Sequence, residues 1–284
     1  MKIAVSTLAF IGIPIKDVLE SAMENSLQIE FSSGLPYMDN MEEIYLSSTI
    51  ERLPHNYFPA PKDPFVLNLA STDQEIRKRS VRHCKRGLEL AAASRSPFFA
   101  AHAGFCIDPK PEELGKKLKQ DQEFRRSDNQ EIFIESIREV LDHSRVVDTP
   151  FLIENNVVAG MNLREDGRNP LLCADPDEIL ETIKIIKDDN FGILLDTAHL
   201  KVSANTLSFD ADDAVLRLKN VIRGFHHSDN EGILDTNDKL TDRYWFLKHM
   251  PLFREAQHVL EIKRLNVEEI REHIDLLKRA AETN

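Results

Sequence analysis

Carboxylate and imidazole side chains stand directly after short apolar runs in this chain. Glu154 closes the run FLIE, Asp196 closes ILLD, and Glu261 closes HVLE, while His226 follows the pair GF. Carboxylates are rarely buried without a partner, so an acid at the end of an apolar run is either a functional residue or half of a strand-end salt bridge. We favour the functional interpretation, because imidazoles and carboxylates together serve as metal ligands and as general acids and bases.

Four further candidates carry weaker signals. His199 lies three residues after Asp196, a spacing that lets both side chains reach one point as the chain turns. His55 and His102 also follow apolar residues, although a lone histidine is more often a hydrogen-bonded core residue. Lys263 projects to the same face as the acid two residues before it, and is either the structural partner of that acid or a substrate contact. So many candidate ligands directly after apolar runs favour a functional site over unrelated core residues.

Eight short apolar segments must position these residues. They are residues 3–6, 28–31, 53–58, 98–104, 151–155, 193–197, 224–229 and 258–262. Helical patterns lie between them, and this alternation predicts a parallel α/β sheet. We therefore expect a single (β/α)8 TIM barrel over residues 1–284, with the carboxyl ends of its strands meeting at one rim. A doubly wound open sheet is the alternative fold, but Ser6-Thr7-Leu8-Ala9 stands where that fold carries a glycine-rich phosphate loop.

The helical segments have recognisable ends. The longest begins in the style of a capping box, with Ser71 or Thr72 as N-cap, and runs through Ala93. The other expected helices cover residues 17–23, 42–46, 131–146, 175–186, 210–218 and 267–281, with a short helix at 244–248. The long polar segment 106–129 follows the fourth strand, so it lies on the rim side and is either a lid or a poorly ordered insertion.

Composition narrows the class of protein. A net charge of −12 disfavours a nucleic-acid partner. We interpret the basic cluster at 77–86 as the solvated face of an outer helix. No stretch approaches the ~20 apolar residues of a membrane helix, and the N-terminus lacks a signal-peptide pattern. Three unpatterned cysteines fit a reducing compartment. We expect a cytoplasmic enzyme, with homo-oligomerisation left open.

Imidazole and carboxylate ligands without thiolate indicate which ions would suit such a site. The set favours Zn, Mn or Co, and Mg less so because of the histidines. The residues themselves leave the choice among the first three ions open.

Seven motifs surround the candidate residues. They are His55-Asn56-Tyr57, Leu67-Asn68-Leu69-Ala70-Ser71, His102-Ala103-Gly104, Ile153-Glu154-Asn155, Asp196-Thr197-Ala198-His199, His226-His227-Ser228-Asp229-Asn230 and Leu260-Glu261. Over nearly the whole chain they resemble the xylose isomerase-like barrel superfamily, which includes sugar isomerases, ketose 3-epimerases and endonuclease IV. The resemblance implies that Glu154, Asp196, His226 and Glu261 bind one catalytic ion, with His226 rather than His227 as the ligand.

The endonuclease branch of that superfamily implies further ions. By that resemblance, His55 and His102 share Glu154 with a second ion, and His199 and Asp235 match a third site. Asn237 stands where that branch has a histidine, which puts the third site in doubt. The ketose 3-epimerase branch has an arginine six residues after its strand-seven histidine, where this chain has Gly232. The chain therefore departs from both branches.

Two functions remain open at this stage. The first is a metal-dependent isomerase or epimerase of a sugar, sugar phosphate or inositol-like molecule, in which Glu154 and Glu261 move a proton through an enediolate and His199 holds a substrate oxygen. The alternative is metal-dependent phosphodiester hydrolysis of the endonuclease IV type, which His55 and His102 favour. Asn237 and the acidic balance oppose hydrolysis, so a small sugar-like partner is expected.

Overall fold

The computed structural model describes residues 1–32, 34–119 and 121–283, in which helical segments separate successive strands. The eight strands are β1 Lys2–Ser6, β2 Gln28–Phe31, β3 Arg52–Pro54, β4 Phe99–His102, β5 Phe151–Glu154, β6 Phe191–Asp196, β7 Ile222–His227 and β8 Gln257–Leu260. The observed strands are mostly shorter at their carboxyl ends than the apolar patterns predict, because the chain turns there into the rim loops.

All strand pairs of the barrel are parallel. The order is β3-β2-β1-β8-β7-β6-β5-β4, so seven neighbouring pairs of the described strands form hydrogen-bonded ladders. The remaining gap, between β3 and β4, is spanned by a parallel bridge between His55 and Ala100. The backbone N–H of Asn56 donates to the carbonyl of Ala100 at 2.8 Å and reinforces this bridge. The predicted TIM barrel is confirmed, and the doubly wound alternative is wrong.

Eight α-helices surround the strands in the described part of the chain. They are α1 Ile15–Glu24, α2 Met41–Ser47, α3 Gln74–Ser94, α4 Arg126–Val147, α5 Pro176–Ile186, α6 Thr197–Leu207, α7 Ala211–Leu218 and α8 Val267–Glu282. The predicted N-cap of α3 is wrong. Asp73, not Ser71 or Thr72, caps this helix, because its carboxylate accepts from the backbone N–H groups of Glu75 and Ile76. The segment predicted as a short helix at 244–248 lies in a 3-10 helix, Trp245–Phe253.

The basic cluster at 77–86 lies on α3, as expected for an outer helix. Val81, Cys84 and Leu88 are buried on one face of α3. On the other face, Lys85 pairs with Glu139 of α4 at 2.7 Å. Lys85 is therefore paired between α3 and α4. No helix among residues 1–32, 34–119 and 121–283 is long and apolar enough to cross a membrane.

The barrel interior is layered. An apolar layer of strand residues fills its middle, formed by Ala4, Leu53, Phe98, Ala100, Leu152, Leu194 and Val259. The candidate ligands stand two residues further along the same strands, for example Glu154 after Leu152 and Asp196 after Leu194. Strand side chains alternate between faces, so the ligands point the same way and form the next layer toward the rim.

The polar segment after β4 is packed against the rim. Ile107 and Leu118 are buried in a satellite cluster with Val158 and Leu171 from the loop after β5. The backbone N–H of Leu118 donates to the Asn162 side chain at 2.9 Å. Because α4 already begins at Arg126, this loop ends earlier than the predicted 106–129. Its described residues, 106–119 and 121–125, form part of the wall above the barrel mouth.

Candidate metal centre

Four side chains from four neighbouring strands converge at the carboxyl end of the barrel. His226 Nδ1 lies 3.3 Å from Glu154 Oε1, 3.3 Å from Glu261 Oε2 and 3.9 Å from Asp196 Oδ2. One ligand atom from each of the four residues lies within 4.8 Å of all the others. This is the set that the resemblance assigned to one ion, and the structure brings it together.

The sheet register and local capping fix these positions. Asp196 pairs with His226 in the ladder between β6 and β7, and the backbone N–H of Glu261 donates to the His227 carbonyl at 3.0 Å. Asp196 is also the N-cap of α6, where its Oδ1 accepts from the backbone N–H of His199 at 2.7 Å. The expected turn after Asp196 is thus the first turn of a helix that periodicity did not predict.

Glu154 presents its second oxygen to two further histidines. His55 Nε2 lies 3.1 Å from Glu154 Oε2, and His102 Nδ1 lies 3.5 Å from the same atom. Glu154 Oε1 faces His226. One carboxylate therefore joins two groups of possible ligands, which is the arrangement that a bridging ligand between two ions requires.

His199 and Asp235 lie beside this pair of groups. His199 Nδ1 donates to the carbonyl of Asn155 at 2.9 Å, and its Nε2 lies 3.3 Å from Asp235 Oδ2. The Nε2 edge of His199 therefore faces the Asp235 carboxylate, and both residues line the same cavity. Asn237 is buried, and its backbone carbonyl accepts from the N–H of Lys263 at 3.2 Å.

Lys263 lies at the rim and is exposed. Its Nζ donates to the carbonyl of Thr236 at 3.3 Å, and no ion pair joins it to Glu261 among the residues that the structure describes. Of its two predicted roles, the structural partner of Glu261 is not seen. The position at the cavity mouth is compatible with a substrate contact.

The charges at the centre are strongly coupled. Burial alone would raise the pKa of Glu154, but His102, His226 and His55 hold it well below its usual value. Burial likewise opposes ionisation of Glu261, yet the neighbouring His226 lowers its pKa to about 2. Asp196 behaves differently, because burial and the nearby Glu261 raise its pKa well above the usual value. The centre therefore holds more acidic oxygens than its own histidines neutralise, a surplus that a cation would relieve.

Unpaired atoms point to the same conclusion. Both carboxylate oxygens of Glu154, Oδ2 of Asp196 and Nδ1 of His226 are buried, and none makes a hydrogen bond of normal geometry with a described residue. Buried polar atoms are rarely left unpaired in proteins. Carboxylate oxygens and imidazole nitrogens at this spacing are the donors that a divalent transition ion prefers. The residues present therefore fit a divalent metal ion.

The sequence reasoning missed one acid near the centre. Glu30 of β2 is fully buried, and its Oε2 lies 2.8 Å from His226 Nε2. The available signal was a carboxylate inside the apolar run Ile29–Phe31, the same signal that identified Glu154. It was overlooked because Glu30 lies on an early strand outside the resemblance motifs.

A cavity of about 530 Å³ opens above the centre. Its lining combines polar groups of the centre, among them His102, His199 and Asp235, with apolar side chains of the rim loops, among them Leu118, Met161 and Leu234. Pockets for small molecules commonly have ~300–1,000 Å³ and mix apolar walls with a few polar groups. The cavity therefore has the size and the chemistry of a small-molecule site.

Comparisons with known proteins agree with this fold. A family model described as xylose isomerase-like TIM barrel matches residues 29–279. A curated relative, the probable endonuclease 4 of Persephonella marina, is 26% identical over 136 residues. That match covers 48% of this chain and 39% of the relative, so the chain spans well under half of the relative's length.

Solved structures resemble the whole chain. A D-tagatose 3-epimerase-like protein superposes with a TM-score of 0.75 and 19% identity, over 99% of this chain and 97% of that one. Endonuclease IV from Thermus thermophilus superposes with a TM-score of 0.60 and 16% identity, over 99% of both chains. At these identities the likeness shows the barrel fold alone, and the neighbours include both an epimerase-like protein and a nuclease.

Proposed function

The chain belongs to the xylose isomerase-like TIM barrel family, and from this premise we propose that it is a divalent-metal-dependent isomerase or epimerase of a sugar or a sugar-like polyol. The observation that carries the proposal is the cavity of about 530 Å³ whose lining includes His102 and His199, the two histidines that lie next to the Glu154 carboxylate. Such a cavity suits a sugar ring or its open-chain form better than a stretch of duplex.

Glu154, Asp196, His226 and Glu261 would hold the principal ion. When bound, a divalent ion polarises a carbonyl or hydroxyl oxygen of the substrate and makes the adjacent C–H more acidic. Zn, Mn and Co suit this mixed nitrogen and oxygen set, and Mg suits it less.

The protein's own groups would perform the proton transfer. Glu154 and Glu261 approach His226 Nδ1 from β5 and β8, on either side of β6 and β7. The pKa of each lies below its usual value, so each carboxylate is ionised and able to accept a proton from a substrate carbon. One removes the proton, and the other delivers a proton that it has taken up from solvent to the enediolate. Delivery to the opposite face of the same carbon inverts that carbon, and delivery to the neighbouring carbon moves the carbonyl.

His199 and Lys263 would position the substrate. The Nε2 edge of His199 borders the cavity beside Asp235, where it can hydrogen-bond a substrate hydroxyl or carbonyl. Lys263 lines the cavity as well, and its ammonium group can contact an oxygen at the far end of the same molecule. Positioning of this type lowers the entropic barrier to proton transfer.

A second candidate function is metal-dependent phosphodiester hydrolysis. The observation that favours it is the group formed by His55, His102 and Glu154, since a one-ion epimerase needs neither histidine. Two ions about 3.5–4 Å apart can clamp the attacking and leaving oxygens of a phosphodiester. The net charge of −12 opposes tight binding of a polyanionic duplex, so we place this function second.

An exchange experiment separates the two functions. The protein reconstituted with Zn, Mn or Co is incubated in deuterated water with a panel of ketoses, aldoses and inositols, and loss of a C–H signal is followed by NMR. We expect exchange with at least one compound, abolished by chelation and by Glu261→Gln. Asp212→Asn is the matched control, because Asp212 pairs with His249 at 2.7 Å outside the centre and should leave exchange unchanged.

The nuclease assay uses the same preparations. Little incision of duplex DNA containing an abasic site is expected at physiological salt. Efficient incision that Glu261→Gln abolishes, without exchange on any sugar of the panel, would overturn the isomerase proposal and favour hydrolysis.

A further inference from the structure

Glu30 occupies a position that the proposed metal centre does not by itself explain. It lies in the middle of β2 between Ile29 and Phe31, and all three residues are fully buried. Phe31 packs on Tyr45 and Phe58 outside the barrel. Because strand side chains alternate, Glu30 faces the barrel interior. A carboxylate held away from water is strongly unfavourable unless it is paired.

The partner of Glu30 is His226. Glu30 Oε2 accepts from His226 Nε2 at 2.8 Å, while the other ring nitrogen, Nδ1, lies 3.3 Å from both Glu154 Oε1 and Glu261 Oε2. The two nitrogens of one imidazole thus face two different carboxylate environments. A carboxylate acceptor at one ring nitrogen keeps a proton there, which leaves the lone pair of the other nitrogen available to a metal ion.

Glu30 could instead be a direct ligand. Glu30, His55 and His226 also offer ligand atoms within 4.8 Å of one another. An ion held there would have to take Nε2 of His226, and a neutral imidazole binds a metal through one nitrogen only. Nδ1 would then carry the proton and be lost to the group of Glu154, Asp196 and Glu261, which is the larger set of converging ligands.

We propose that Glu30 is a positioning residue that accepts a hydrogen bond from Nε2–H of His226 and so directs Nδ1 to the metal ion. This inference rests on the metal centre proposed above and adds a residue of β2 to it. It explains why an acid stands within an otherwise apolar strand. Glu30 is not among the residues that line the proposed substrate cavity. Its described hydrogen bond is to His226 rather than to Glu154 or Glu261.

The test measures metal affinity rather than activity. Zn²⁺ is titrated into the metal-free protein in competition with a chromophoric chelator, for the wild type, Glu30→Gln and Glu30→Leu. Loss of an outer-shell carboxylate typically weakens metal binding by ~10–100-fold. We expect about 10-fold for Glu30→Gln, whose amide oxygen still accepts a hydrogen bond, and about 100-fold for Glu30→Leu, with the number of ions per chain unchanged. Circular dichroism confirms that each variant folds.

A matched control and a spectroscopic measurement complete the test. Asp212→Asn removes the charge from another carboxylate that pairs with a histidine Nε2, at 2.7 Å and away from the centre, and should leave Zn²⁺ affinity unchanged. In the Zn²⁺-loaded wild type, the imidazole ¹⁵N signals of His226, assigned with His226→Asn, should show a protonated Nε2 and a metal-bound Nδ1.

Three outcomes would overturn the inference. Unchanged affinity in both Glu30 variants would show that His226 is oriented without Glu30. Loss of one whole equivalent of Zn²⁺ would make Glu30 a ligand. No Zn²⁺ binding by the wild type itself would remove the metal centre, and with it the proposed function, so failure of the larger proposal remains distinguishable from failure of this one.

Discussion

Two adjacent histidines at the end of β7 lie in opposite chemical environments. His226 faces the barrel interior, where Glu30, Glu154 and Glu261 surround it. Burial alone would lower its pKa, but these carboxylates raise it well above the usual value. Its Nδ1 makes no normal hydrogen bond with a described residue. The inner histidine is therefore surrounded by negative charge, and a cation can bind Nδ1 in exchange for the proton that these carboxylates hold on the ring.

His227 faces outward, into a neutral network. Its Nδ1 accepts from the hydroxyl of Tyr244 at 3.0 Å, and its Nε2 lies 2.9 Å from His258 Nδ1. His258 Nε2 in turn donates to the carbonyl of Phe253 at 3.0 Å, which fixes the direction of the whole chain of hydrogen bonds. Burial lowers the pKa of His227 well below its usual value and that of His258 to about 4.

The difference shows that burial does not identify a functional histidine. Both rings at the end of β7 are fully buried. The inner one has acidic neighbours and an unused nitrogen, whereas both nitrogens of the outer one are satisfied by neutral partners. The inner region has the features of a binding site, and the outer region those of a structural network that joins β7 and β8 to the 3-10 helix Trp245–Phe253.

The largest expected effect is on the stabilisation by a bound metal ion, which should depend on His226 and not on His227. An ion at a thousand times its dissociation constant should raise the free energy of unfolding by about 4 kcal/mol. We expect His226→Asn to abolish this increment and His227→Asn to retain it, although the second variant starts from lower stability. Thermal unfolding with and without Zn²⁺, together with elemental analysis, measures both. Equal retention of metal by the two variants would contradict the distinction.

The next effect concerns the number of ions in the inner region. His55 and His102 approach the second oxygen of Glu154, so saturation with excess Zn or Mn should give more than one ion per chain. His55→Ala and His102→Ala should each remove the additional ion and spare the first. A single ion at saturation, with unaltered affinity in both variants, would make these histidines substrate contacts or core residues.

Disruption of the outer network should lower the free energy of unfolding without changing the metal content. His258→Leu leaves the carbonyl of Phe253 and the Nε2–H of His227 without their partner. Leaving buried polar groups unpaired typically costs about 1–3 kcal/mol. We expect urea denaturation to show a loss of this size, with metal content unchanged. Loss of the ion from this variant would mean that the two regions are coupled.

The last expected effect is a difference in pH dependence. The pKa of His258 is about 4 in the folded protein against ~6.5 when unfolded. The unfolded chain therefore binds the proton more readily, and stability is lost as the pH falls through 6.5 toward 4. Between pH 7 and 5 this group should account for about 2 kcal/mol.

The measurement compares metal-free wild type with His258→Leu. Urea unfolding at both pH values, in the presence of a chelator, should show a fall that is about 2 kcal/mol smaller in the variant. An identical fall in the two proteins would show that the outer histidine is not held neutral by the fold.

Local pattern sufficed for much of the architecture. Each strand could be located from its apolar run, and α7 and α8 were predicted nearly to their ends because amphipathic periodicity and N-cap residues are local signals. Helix α6 was not predicted, since it begins directly after the strand residue Asp196, which caps it, and its residues are buried on several faces. The cap of α3 was misplaced because several oxygen-bearing side chains in succession could each serve as the cap.

The ligand residues were also visible in the sequence, because a carboxylate or histidine that ends an apolar run is conspicuous wherever it occurs. Their convergence follows once the strands are taken as parallel, since the carboxyl ends of parallel barrel strands meet at one rim. Which ring of the pair His226-His227 faces inward depends on the pleat of β7 within the closed sheet. That Glu30 meets His226 depends on barrel closure, which brings β2 and β7 within hydrogen-bond distance across an interior that no local pattern describes. The sequence alone thus determined the strands and their chemical groups, and only the tertiary structure decided which groups became partners, because those partnerships depend on distances between segments nearly two hundred residues apart in the chain.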